Sequence, residues 1–417
     1  MRCGWKISGG YLLVKKKIWY LDNIRFILAI FVVAWHAANA YIGGRWPILE
    51  TDTSSVVYGI KTFFDAVTMP FFFYISGYFA LVSIRKRGSS SFLKTKVKTI
   101  LIPWIVVLLL IVPFIELLAQ ISTQSLAVGY FDLWKWQINR IFAFDFGFIS
   151  DGYYQRYMWF LSVLFAFQAI FALVYRFSKK WLNKDLASLQ SRLFTTKSTL
   201  TWVVKVAFIA LLPMMTVILL TIFFTDSPDP EAFFSVFNVI QFQASRLPVY
   251  IVYFVLGILT YRNQWIRRDL FTNRRLWNTL FVITGVIYLI WMNLFANIVP
   301  DELFGPLFIL FINFFIVSAL GFTLSNAKIY LDRPLFGNGE ITSHAYNIYI
   351  LHYIFVHLLQ LALLNFVAIP LLVKFVLVTT IGLVLSVLAS KYLLKPQPRL
   401  TVAIGLLSTI LLFGIFT

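Results

Sequence analysis

The stretch from Tyr20 to Tyr41, YLDNIRFILAIFVVAWHAANAY, is apolar enough to cross a bilayer, yet it carries Asp22, Arg25 and His36. An α-helix makes about 3.6 residues per turn, so eleven residues return the chain to within about 20° of its starting direction. Arg25 and His36 therefore share one face, roughly 16 Å apart along the axis, with Asp22 one turn before Arg25 on the same stripe. Ionisable groups at membrane depth are costly, so they face protein or water and mark a site or pathway. Arg25 could instead snorkel to the surface, with His36 bonding a neighbouring helix. Three such residues on one face favour function.

A second apolar stretch carries Asp65 about two turns below the end that faces His36. The two could meet, and a carboxylate beside an imidazole fixes its tautomer and raises its basicity. Lys61, one turn away, is the competing partner for Asp65. The same stretch continues as MPFFFYISGYF, where Pro70 and Gly77 can bend or loosen the helix and Ser76 offers a hydroxyl. Three of the four histidines lie in SHAYNIYILHYIFVH, Ser343 to His357. His352 is expected roughly two turns into the membrane, with Tyr349 one turn before it on the same face. His344 should lie near the water interface and His357 off the face of His352. Metal-ligand spacing is missing, so no metal is expected. In RKRGSSSFLKTKVK, Arg85 and Arg87 emerge directly from the second helix. They read either as a topology signal or as ligands for phosphates arriving from the cytosol. In DGYYQRYMWFL, Tyr153 and Tyr154 suit an interfacial belt, and Trp159 suits packing or the lining of a site.

These residues must be positioned by a membrane bundle. The chain has 417 residues, 60% hydrophobic, 18% aromatic and only 13% charged, too little charge to cover a soluble domain of this length. The apolar runs repeat near the 20 residues or so that cross a hydrocarbon core. Spans are expected at about 20–42, 56–82, 100–120, 157–177, 201–224, 247–261, 277–297, 303–325, 345–365 and 372–391. Basic loops (Arg85 to Lys98; Lys179 to Lys197; Arg262 to Arg275) alternate with acidic ones (Asp132 to Asp151; Asp226 to Glu231; Asp301 and Glu302). The positive-inside rule then places the N-terminus in the cytoplasm of a multi-pass cell-membrane protein. The +19 net charge is thereby explained by topology, and nucleic acid is not expected as a partner.

The expected fold class is an all-α polytopic bundle of about ten helices. Its organisation would be a basic segment 1–19, a transmembrane domain 20–395 and a hydrophobic segment 396–417. Thr401 to Thr417 is either an eleventh span or an interfacial segment. The lone Cys3 excludes an internal disulfide. Lys15 to Lys17 followed by Ala38-Asn39-Ala40 superficially resembles a signal peptide, but Asp22 and Arg25 interrupt its apolar region.

YLDNIRFILAIFVVAWH resembles the opening helix of the membrane acyltransferase-3 family, whose signature separates an arginine and a histidine by ten residues; Arg25 and His36 match it. FFDAVTMPFFFYISGYF resembles the family's second helix through Ser76-Gly77-Tyr78, and Arg85-Lys86-Arg87 its basic cytoplasmic motif. YMWFLSVL is similar to its Trp-x-Leu segment, and YNIYILH, Tyr346 to His352, to its late Tyr-x-x-His helix. The resemblance runs from about residue 18 to 395. Many members follow Trp-x-Leu with a glutamate; Leu164 stands here, which looks more like the branch of the glucan succinyltransferases.

The resemblance implies a membrane O-acyltransferase that moves an acetyl or succinyl group from cytoplasmic acyl-CoA to a hydroxyl of an extracytoplasmic glycan. It implies no permanently bound cofactor, and either direct transfer within the bundle or onward transfer by a partner protein. Arg25, Arg85 and Arg87 would take the phosphates of CoA. The pantetheine arm roughly matches the Arg25–His36 separation, so the thioester would lie near His36. His36 would serve as general base or brief acyl carrier, with Asp65 beside it. Tyr349 and His352, expected at the depth of Arg25, would orient the donor; Asp22, Ser76 and Trp159 would line the site. The alternative is a transporter or flippase using the same buried residues as a pathway. It predicts inverted repeats, and none is evident.

Overall fold

The computed structural model describes residues 18–44, 46–124, 128–144, 146–148, 155–183, 196–224, 233–266, 270–295, 298–335 and 339–416. Lys15 to Lys17, Cys3, Tyr153, Tyr154 and the acidic stretch Asp226 to Glu231 lie outside them.

The chain is an all-α polytopic membrane bundle. Ten helical segments among the described residues are long and apolar enough to cross a membrane. One shorter apolar helix, Leu247–Arg262, lies beside them. The helices of the bundle are α1 (Trp19–Ala38), α2 (Ser55–Arg87), α4 (Ile102–Ser122), α6 (Trp159–Asn183) and α7 (Thr196–Phe224). They continue as α8 (Leu247–Arg262), α9 (Arg274–Ile290), α10 (Asp301–Tyr330), α11 (Ala345–Leu363), α12 (Leu371–Ala389) and α13 (Pro398–Ile415). Side chains such as Leu212, Leu219, Val282, Val286, Leu407 and Leu411 are exposed. In a bilayer their surroundings would be lipid rather than water.

α2 is the axis of the bundle, and its residues enter the apolar core shared with α7, α9 and α10 as well as the core shared with α4, α6 and α11. Ser54 starts it, its Oγ accepting from the Val57 N–H at 3.4 Å. Gly88, at φ +76°, ends it, its N–H donating to the Ile84 carbonyl. α2 crosses α8 at two glycines. A Cβ on Gly77 would strike the Phe254 backbone, and one on Gly257 would strike the backbone at Tyr74 and Tyr78. Gly77 therefore permits close helix approach, rather than the loosening anticipated for it.

Three features depart from the sequence reading. The basic stretch after α2 is helical, not a loop: α3 (Ser89–Lys96) runs through a π-helical turn, Val97–Leu101, into α4. Beyond α4 lies a further helix, α5 (Tyr130–Phe142), which packs against α4. Pro113 has no N–H for the carbonyl of Leu109, and the Trp134 indole of α5 donates to that carbonyl at 3.0 Å. Finally, β1 (Phe146–Phe148), β2 (Phe233–Val236) and β3 (Ile240–Gln243) form a small antiparallel sheet in the order β1-β2-β3. Phe237 and Asn238, both at positive φ, make the tight turn between β2 and β3.

The stretch from Thr401 lies in a helix, α13, long and apolar enough to cross a membrane. It leaves the end of α12, lies against α4 and α5, and finishes where the Phe416 carbonyl accepts from the Tyr130 N–H at 2.7 Å.

Candidate active site

His36 sits in the last turn of α1 and is 4% exposed. Its Nδ1 lies 2.8 Å from the Val32 carbonyl and 3.0 Å from Nε2 of His352, which is fully buried. The Nδ1 of His352 in turn lies 3.0 Å from the Ile348 carbonyl. A carbonyl can only accept, so His352 carries its proton on Nδ1 and presents Nε2 as a lone pair. The Nδ1 of His36 then faces two acceptors and must be the donor. Its own Nε2 is left as the basic lone pair, with no hydrogen bond among the described residues. A tautomer fixed in this way suits an imidazole for taking a proton or attacking an acyl carbon.

His352 was expected at the depth of Arg25, and the structure places it at the depth of His36. The chain after α10 explains the difference. Asn23 in α1 donates to the Leu331 and Arg333 carbonyls at 2.6 and 2.8 Å, which holds this connection at the first turns of α1. Gly339 packs against the Trp19 ring. The 3-10 turn Ile341–His344 then climbs at about 2.0 Å per residue before α11 begins, so α11 starts already inside the bundle.

Aromatic rings enclose the pair. Around His36 stand Tyr353 at 5.1 Å, Trp46 at 5.8 Å and Tyr157 at 6.2 Å between ring centroids. Tyr157 is held reciprocally: its hydroxyl donates to the Ile350 carbonyl at 2.6 Å, and the Tyr349 hydroxyl donates to the carbonyl of Tyr157. Tyr349 thus positions the start of α6 beside the histidines. Arg156 precedes it at φ +48°, a conformation uncommon outside glycine, and makes two 2.7 Å bonds to Glu116 of α4. The connection after α1 carries Trp46, whose indole donates to Gln360 Oε1 at 3.0 Å. The Gln360 amide bonds back to the carbonyls of His36 and Ala37 at 3.3 and 3.2 Å. Glu50, on the same connection, pairs at 2.5 Å with Lys374 of α12, which is almost completely buried.

Asp65 does not meet His36. Its carboxylate pairs with Arg246 at the start of α8, at 2.6 Å, and feels Lys61 electrostatically as well. Lys61 itself lies over the Trp35 ring at 5.4 Å. The guanidinium of Arg246 offers a bidentate charged partner, whereas the neutral pair His36–His352 is already satisfied by carbonyls. Trp159 stacks on Tyr250, with centroids 5.6 Å apart, and lines the wall next to α8. Ser76 is half-buried on α2, beside the crossing glycine.

At the other end of α1, Arg25 pairs with Asp22 at 3.6 Å and lies over Phe79 at 5.9 Å. Lys96 of α3 lies within electrostatic range of both Arg25 and Arg87, so three cations gather there. Arg87 donates to Thr95 Oγ1 at 3.1 Å. Arg85 differs from its expected use. It donates to the Leu182 carbonyl and lies over Tyr261, and Arg262 donates to the adjacent Trp181 carbonyl at 3.3 Å. Both guanidiniums cap the last carbonyls of α6, where positive charge is favoured.

The residues missed from sequence are Trp46, Tyr157, Tyr353, His357, Gln360 and Lys96. Trp46 directly follows the buried-histidine helix, His357 lies in the histidine-rich segment, Tyr157 opens YMWFLSVL and Lys96 lies in the basic stretch, so each carried some signal; Tyr353 and Gln360 look like ordinary bundle residues.

No match is found among curated proteins or among solved structures. The family model described as an acyltransferase domain matches residues 18–394, from the start of α1 to the π-helical turn Ser390–Leu394 that follows α12. That span includes both histidines, the aromatic walls and the cation cluster, and the chain belongs to the acyltransferase-3 family of membrane acyltransferases.

Proposed function

We propose that the protein transfers an acetyl or succinyl group from cytoplasmic acyl-CoA to a hydroxyl of an extracytoplasmic glycan, in the manner of the glucan succinyltransferase branch. The observation that carries this reading is a single helix with a tautomer-fixed histidine pair near one end and a cation cluster near the other. Arg25, Arg87 and Lys96 would bind the phosphates of CoA at the cytoplasmic mouth; Arg85 would hold the neighbouring end of α6 in place. Asp22 would orient Arg25. The thioester would reach His36 along the α1 face.

The acceptor hydroxyl gives its proton to His36 Nε2 while its oxygen bonds to the acyl carbon. The carbon–sulfur bond breaks, and the proton passes to the departing thiolate, giving the ester and free CoA. His352 accepts from His36 Nδ1 throughout, which holds the ring in place and stabilises its cationic form. Asp65 acts as the α2–α8 anchor through Arg246, not as the carboxylate partner of His36. In this reading residues 20–395 are the catalytic domain of a cell-membrane protein whose N-terminal side is cytoplasmic.

The test is CoA release and acyl labelling by purified protein in liposomes, supplied with acetyl-CoA and then succinyl-CoA. Wild type should turn over one of them, and His36→Ala should lose about 10²–10⁴-fold in rate. Equal turnover by a well-folded His36→Ala protein would overturn the role of His36.

A further inference from the structure

His357 lies one and a half turns beyond His352 and is fully buried. Its Nδ1 lies 2.8 Å from the Tyr353 carbonyl, so the proton sits there and Nε2 is a lone pair. That Nε2 has no hydrogen-bond partner among the described residues. A buried acceptor without a donor is costly, and the imidazole is held rigidly enough that it cannot turn to find one. It stacks on Trp46, with centroids 4.9 Å apart and planes at 27°, and meets the Tyr353 ring at a tilt of 49° with centroids 4.2 Å apart. Trp46 and Tyr353 also pack around His36. The imidazoles of His357 and His36 therefore contact the same two rings.

We propose that Trp46 and His357 form the acceptor subsite, taking a carbohydrate ring. The Trp46 indole supplies an apolar face, and His357 Nε2 accepts from a ring hydroxyl neighbouring the one that His36 deprotonates. The missing donor is thereby supplied by the substrate, and two hydroxyls fix the sugar where one would leave it free to turn. A ligand with hydroxyls on adjacent carbons meets the requirement; a simple alcohol does not. Trp46 is the wall that yields to admit it. Tyr353 and His352 belong to the body of α11, and Tyr157 is clamped by two hydrogen bonds, whereas Trp46 is carried on the connection between α1 and α2 and tethered by Gln360.

The inference rests on the acyl-transfer reading above. It is tested on the purified full chain in detergent, with labelled acetyl-CoA and succinyl-CoA and β-linked gluco-oligosaccharides as the acceptor probe. His357→Leu should raise the KM for the oligosaccharide about tenfold or more and leave the KM for acyl-CoA within about twofold. His357→Gln, which restores an acceptor atom, should recover most of the loss. Trp46→Ala should shift the partition from transfer toward hydrolysis of the donor by water, and Trp46→Phe should shift it less. An unchanged oligosaccharide KM in His357→Leu, or equal changes in both KM values, would overturn the subsite. So would a wild type that hydrolyses donor but acylates none of the sugars. A wild type that releases no CoA from either donor would instead defeat the acyl-transfer reading itself.

Discussion

The chemistry of the site rests on four backbone and ring nitrogen contacts that assign protons without any charged group. His352 accepts from His36, so His352→Leu should lower kcat about 10-fold or more by freeing the His36 ring, with a smaller effect on the KM for acyl-CoA. His352→Gln, which keeps an acceptor, should retain more activity; steady-state kinetics of the two variants separate tautomer control from packing. Asp65 behaves differently. Asp65→Asn leaves Arg246 without its carboxylate inside the bundle, at a cost of about 3 kcal/mol, read as a lowered Tm in detergent. Asp65→Asn combined with Arg246→Gln should recover much of that loss, and a recovery of kcat in parallel would place Asp65 in the scaffold. At this scale the Arg25–His36 spacing was legible in the chain, because helical periodicity alone puts them on one face. The partners His352 of His36 and Arg246 of Asp65 were not, because they lie 316 and 181 residues away and depend on the relative height of two helices.

Helices that cross a membrane must satisfy every backbone group within the protein, and α4 shows how a proline is accommodated. The Trp134 indole donates to the Leu109 carbonyl in place of the N–H that Pro113 lacks. Trp134→Phe should therefore destabilise the protein by about 1 kcal/mol. In a Pro113→Ala background, where the residue at 113 brings its own N–H, the same substitution should cost less, a non-additivity measurable by thermal unfolding. The α2–α8 crossing is less forgiving. Alanine at Gly77 or Gly257 drives a methyl group into the facing backbone, so either variant should lose folded protein in size-exclusion chromatography. Helix positions were readable from hydropathy, since each apolar run approaches the thickness of a bilayer. The helical path from Ser89 into α4 was not, because clustered lysines read as a loop while their backbone hydrogen bonds are helical.

At the scale of the whole molecule, the charge alternation and the path of α13 predict on which faces the two ends lie. α13 follows α4 from the side where α12 ends to the start of α5, so Phe416 should face the side opposite Trp19. In a Cys3→Ser background, Leu400→Cys and Phe416→Cys should react with a membrane-impermeant maleimide from opposite faces of sealed vesicles. Labelling of both from one face would make α13 an interfacial helix.

Composition, hydropathy and the spacing of a few ionisable residues were enough to determine an all-α membrane bundle, nine of its ten candidate spans and the arginine–histidine stripe of its first helix, while the expected span 247–261 is a shorter helix. These depend on local periodicity and on the length scale of the bilayer, both written in the linear order of residues. Only the tertiary structure decided that His352 stands beside His36, that Asp65 belongs to Arg246, that Arg85 caps α6, and that Trp46 stacks on His357. Each of those depends on how far one helix is displaced along another. That displacement is set by the sum of packing contacts, such as the Asn23 bonds to the chain after α10, rather than by any motif within a single segment.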